Sequence, residues 1–67
     1  MHIMASKLLL TRIGSSVRAY RRDRRLTAKE LAQKSQLSLR FINQLEAGQA
    51  NISILKLAAV AEALEVQ

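Results

Sequence analysis

Arg40, Asn43 and Gln44 lie three and four residues apart, so a helix through them carries all three on one face. A guanidinium presents a fork of N–H donors that fits guanine O6 and N7. A carboxamide offers the donor and acceptor that adenine N7 and N6 require. The trio suits the reading of base edges, although an ordinary solvent-facing helix shows the same residue types. Reactive chemistry has no comparable foothold. The chain has no cysteine, and its one histidine, His2, lies close to a terminus, which argues against a thiolate or structural zinc site. No nucleophile–base pair, glycine-rich phosphate loop or metal-ligand cluster is visible. Neither an enzyme nor a cofactor or metal is expected.

The 67 residues make one small domain with little surface to spare for a substrate pocket. Eleven Lys and Arg against five Asp and Glu leave a net charge of +6, which points to a polyanionic partner. The charge is uneven. Residues 1–40 hold ten of the bases and only Asp23 and Glu30 as acids, a net +8; residues 41–67 set Lys56 against Glu46, Glu62 and Glu65, a net −2. The first part is expected to face the anion. A hydrophobic share of 49% is ample for a packed core. Apolar runs fall far short of the ~20 residues that span a bilayer. A basic amphipathic helix on anionic lipid, residues 8–25, is set aside because capped helices follow it.

The elements that must position these groups are helices, since proline is absent and glycine occurs only at Gly14 and Gly48. Leu10, Ile13, Val17 and Tyr20 mark a first helix over about residues 8–24, with Tyr20 continuing its buried stripe. Gly14 costs that helix ~1 kcal/mol if it is interior, which allows a start nearer Ser15. Residues 1–7 read as a flexible arm or an expression leftover. Thr27 and Glu30 form a capping box that opens a second helix at Ala28, ending near Ser35. Ser38 caps a third helix from Leu39 to about Ala47, and Gly48 suits the left-handed position that ends it. After a loop over residues 49–52, Ser53 caps a fourth helix, residues 54–65, with Leu57, Val60, Ala61 and Leu64 as its apolar stripe. The expected fold is all-α.

Only Gln36, Leu37 and Ser38 separate the second and third helices, so the pair must cross steeply. Leu31, Ala32, Leu37, Ile42 and Leu45 form its buried side. This is the helix-turn-helix arrangement, whose second helix enters the DNA major groove. A plain structural corner would want similar spacing, so both readings stand at this point.

The sequence resembles the phage repressor and Cro type (XRE family) of helix-turn-helix DNA-binding domains. The resemblance runs through Ile13-Gly14, Arg21, Leu26 to Ala32, Leu37-Ser38, Ile42 to Gly48 and Leu57 to Leu64, and Leu45-Glu46-Ala47-Gly48 with Asn51 is its most specific part. It implies a lambda-repressor-like domain over residues 8–67. Four of the usual five helices are expected here, with residues 39–47 as recognition helix. It also implies a cytoplasmic prokaryotic transcriptional regulator, a repressor, that binds double-stranded DNA as a homodimer on a palindromic operator. The same fold serves as an antitoxin or coactivator-type interaction module, for which the fourth helix would be the protein-binding surface. Gln36, Arg25 and Glu65 stand where the family has glycine, Ile52 where it often has proline, and Ala28 where many members have a DNA-contacting glutamine.

The resemblance sharpens the residues. Leu39, Arg40, Asn43 and Gln44 are expected to contact bases. Thr27, Lys29, Ser38, Gln49, Asn51 and Ser53 are expected to contact phosphates, which set register without carrying sequence information. Arg21 and Glu46 occupy positions where the family forms an ion pair between the first helix and the recognition helix. Arg18, Arg21, Arg22, Arg24 and Arg25 read as a solvated face adding long-range attraction, with Arg24 and Arg25 nearest a phosphate. Phe41 either packs at the corner or touches a thymine methyl.

Overall fold

The computed structural model describes residues 3–65, with side chains from residue 6 onward. It contains four α-helices, α1 (Ile3–Asp23), α2 (Ala28–Ser35), α3 (Leu39–Glu46) and α4 (Ile54–Ala63). The backbone of the described residues forms no strand. α3 packs on α1 and α2, and α2 packs on α4.

Three of the four helices begin as the local sequence dictates. The hydroxyl oxygens of Thr27, Ser38 and Ser53 accept the backbone N–H groups of Glu30, Phe41 and Lys56 at 3.0, 3.0 and 3.1 Å, which satisfies donors a helix start leaves orphaned. Glu30 returns the bond by accepting the Thr27 N–H at 2.8 Å. That bond, with the Thr27 hydroxyl contact, holds the Glu30 carboxyl below its ordinary range.

α1 departs from expectation at its start. Its backbone is helical from Ile3, so residues 3–7 belong to the helix rather than to an arm; Met1 and His2 lie outside the described residues. The stretch from Ile3 to Leu10 contains no glycine or proline to break the helix, and Ser6, a cap-type residue, lies inside it. Gly14 is interior for a steric reason. A Cβ there would stand 2.9 Å from the Glu46 carbonyl oxygen and closer still to that of Leu45. Only a residue without a side chain lets α1 approach the end of α3 this closely.

Each helix ends in the left-handed region. Arg25, Gln36, Gly48 and Glu65 have φ of 57°, 58°, 75° and 58°. Leu26 donates to the Arg21 carbonyl, Leu37 to that of Ala32 and Gln49 to that of Gln44. These are the six-to-one bonds of the Schellman motif. Two of the residues just past these ends, Leu26 and Leu37, pack on the core and tie each stop to the interior. Gly48 takes this conformation freely, whereas the other three bear a Cβ clash of about 1–2 kcal/mol each.

The core comprises Val17, Leu31, Ala32, Ile42, Leu45, Ala50, Val60 and Leu64, with Ile13, Leu37, Phe41 and Ile52 packed against it. Full burial of a large aliphatic side chain contributes about 1.5–3 kcal/mol, so Leu31, Ile42, Leu45, Val60 and Leu64 dominate the stability. Ser35 is buried too, and its hydroxyl donates to the Leu31 carbonyl at 2.7 Å.

Tyr20 is a correction: it is 45% exposed, not core. The stripe it continues faces a groove of about 290 Å³ between α1 and α4, lined by Ile13, Val17, Tyr20, Leu57, Ala61 and Leu64 among others. Leu57 is likewise 36% exposed at this groove. α4 spans residues 54–63, two residues shorter than the expected 54–65, because its backbone turns left-handed at Glu65.

Candidate nucleic-acid interface

α3 is anchored from one side and exposed on the other. Ile42 and Leu45 are fully buried, while Leu39, Arg40, Asn43, Gln44 and Ala47 are exposed on the opposite side. Among the described residues the Arg40, Asn43 and Gln44 side chains make no hydrogen bond or ion pair, so their donors and acceptors are open to a ligand. Leu39, at the first position of the helix, is 41% exposed.

A two-pronged link fixes α3 against α1. The Arg21 Nε donates to Glu46 Oε2 at 2.6 Å and Nη2 donates to Oε1 at 2.9 Å, while Nη1 donates to the Leu26 carbonyl at 2.8 Å. The two side chains are 13% and 9% exposed. Hydrogen bonding to Glu46 raises the Arg21 guanidinium above its already high ordinary pKa. The fork matches the carboxylate in plane, which a lysine point charge cannot do. Through Leu26 the same arginine also pins the turn entering α2.

Thr27, Lys29, Ser38, Gln49, Asn51 and Ser53 are all exposed. Thr27 and Lys29 open α2, Ser38 opens α3, and the others line the connection from α3 to α4. The three hydroxyls accept backbone bonds as caps and keep their own hydrogens free to donate. Buried Ala50 and half-buried Ile52 anchor the α3–α4 connection between exposed Gln49 and Asn51.

The arginine run divides. Arg18, Arg22 and Arg25 are exposed cations. Arg21 is committed to Glu46, and Arg24 lies 5.3 Å from the Tyr20 ring centroid with its Nη1 3.7 Å from Asp23. Arg24 thus shields the ring that the sequence placed in the core. Phe41 is half-buried against the core, and the Lys56 ammonium stands 4.8 Å from its ring centroid. From the sequence Lys56 entered only the charge balance, as the one base of residues 41–67, and had no site role.

Among the described residues no group of three or more His, Asp or Glu side chains is placed to hold a metal ion. No helix of the described residues is long and apolar enough to cross a membrane.

Comparison with known proteins gives a consistent picture. Residues 17–67 match the helix-turn-helix family. The chain is 38% identical over 55 residues to the immunity repressor protein of Bacillus phage phi105, covering 82% of this chain but 38% of the repressor's length. Among solved structures it is similar to the restriction-modification controller protein C.AhdI of Aeromonas hydrophila. The TM-score is 0.85 at 29% identity, covering 87% of this chain and 88% of that one. The clp gene regulator ClgR of Corynebacterium glutamicum gives 0.83 at 34% identity, covering 87% and 62%.

Proposed function

The chain belongs to the helix-turn-helix family, and on that premise we propose that it is a sequence-specific DNA-binding transcriptional regulator, a repressor, acting in the cytoplasm. The observation that carries this reading is the face of α3. Arg40, Asn43 and Gln44 project from a helix locked behind by Ile42, Leu45 and the Arg21–Glu46 pair, with no partner among the described residues. Arg40 reads guanine, Asn43 or Gln44 reads adenine, and Leu39 packs on a base edge. Thr27, Lys29, Ser38, Gln49, Asn51 and Ser53 hold the backbone and set the register. Exposed Arg18, Arg22 and Arg25 supply long-range attraction.

Such a domain works as a homodimer on a palindromic operator, each copy placing α3 in one half-site. Electrophoretic titration of specific and random duplexes at several salt concentrations tests the reading. Salt-sensitive binding to both, tighter to one, supports it, and absence of binding at low salt removes it. Two protomers per palindromic duplex in sedimentation support the dimer; one contradicts it.

A second reading has its own observation. Ile54 and Leu55 are 87% and 83% exposed at the start of α4. A protein partner seated on this helix would make the chain an antitoxin or coactivator-type interaction module, and that outcome is what failed DNA binding would favour.

A further inference from the structure

Phe41 follows Arg40 on α3, about 100° further round the helix, which puts it at the border of the reading face. Its ring packs against the core, and the ammonium of Lys56, from the first turn of α4, stands 4.8 Å from its centroid. Lys56 is exposed, and the ion pairs formed among the described residues, Arg21–Glu46 and Arg24–Asp23, do not involve it. An aromatic ring therefore places a cation beside the reading helix without neutralising it. A helix with its side chains is about 10–12 Å across, and the major groove is about 12 Å wide. A helix seated there leaves only the wall of the groove beside it, and that wall is phosphate.

Resting on the DNA-binding reading above, we infer that Lys56 is a phosphate contact of this interface and that Phe41 is its positioning residue. The ring occupies one side of the ammonium, and the N–H donors on the far side meet the phosphate oxygens. Phe41 is thereby a packing residue that acts on DNA through Lys56 rather than through a thymine methyl. The contact gives the acidic part of the chain one point of attraction, next to the α3–α4 connection.

The test is a salt titration of binding to a specific and a random duplex, for the parent chain and for K56Q, K56R and F41L. K56Q is expected to weaken both duplexes by the same factor. It lowers the slope of log affinity against log salt by about 0.9, the share of one phosphate. The ratio of parent to K56Q affinity then shrinks about 3.5-fold between 50 and 200 mM salt. K56R keeps the parent slope. F41L, which keeps an apolar side chain on the core, moves the slope toward that of K56Q, and adding K56Q to it changes little further. An unchanged K56Q slope, or a K56Q effect confined to one base pair, overturns the phosphate assignment. A parent-like slope in F41L overturns the positioning role. If the parent binds neither duplex at low salt, the DNA reading fails as well, an outcome distinct from these.

Discussion

Replacing Glu46 with alanine is expected to unfold much of the domain rather than merely weaken an interface. The change removes two charge-assisted hydrogen bonds of 2.6 and 2.9 Å and leaves a largely shielded guanidinium with the Leu26 carbonyl as its partner. Hydrogen bonds to charged groups contribute about 1.5–3 kcal/mol each, and losing one member of a buried pair costs about 3–5 kcal/mol. A chain of this length has a total stability of about 3–10 kcal/mol. The loss is therefore comparable to the whole. At about 4–8 °C per kcal/mol for a small domain, the melting temperature falls by about 12–40 °C. Thermal unfolding followed by far-ultraviolet circular dichroism reads this directly. The double variant Arg21→Met, Glu46→Leu is expected to melt well above Glu46→Ala, because it leaves no shielded charge unpaired. A Glu46→Ala chain that melts within about 4 °C of the parent, on that same scale, and yet loses DNA affinity would refute the reasoning and make Glu46 a contact residue.

Two further substitutions separate opposing effects. Gly14→Ala gains about 1 kcal/mol of helix propensity, but its Cβ meets the backbone oxygens of Leu45 and Glu46, which cannot swing aside; overpacking costs about 1–3 kcal/mol. A lower melting temperature is expected, and a higher one would show that α1 shifts without cost. Gln36→Gly relieves a left-handed strain of about 1–2 kcal/mol while giving back about 0.4–1 kcal/mol in unfolded-chain entropy. A net rise of a few degrees is expected in the same melt, and a fall would place the Gln36 side chain in a stabilising contact.

What the sequence revealed follows how local each determinant is. The starts of α2, α3 and α4 were legible because a hydroxyl and the backbone three residues on decide them. The ends were legible at Gly48, and the matching role of Gln36 followed from the glycine expected there. The beginning of α1 was not, since no glycine or proline between Ile3 and Leu10 marks it, and Ser6, a cap-type residue, lies inside the helix. Tyr20 shows the limit of periodicity. A stripe identifies an apolar face, but which neighbour covers it depends on how α4 lies, and here the two helices leave a groove. Gly14 looked like a cost until the carbonyls of α3 explained it. The Lys56–Phe41 contact joins residues from two helices and has no local signature.

The central claim is that the exposed face of α3 chooses a DNA sequence. Selection of bound duplexes from a random pool, by the parent chain and by Arg40→Ala, tests it most directly. The parent is expected to enrich one motif arranged as an inverted repeat. Arg40→Ala is expected to bind that motif about 1–3 kcal/mol more weakly and to lose its preference at one base pair of each half-site. A parent chain that enriches no motif, or an Arg40→Ala chain that selects the parent's motif unchanged, would contradict it.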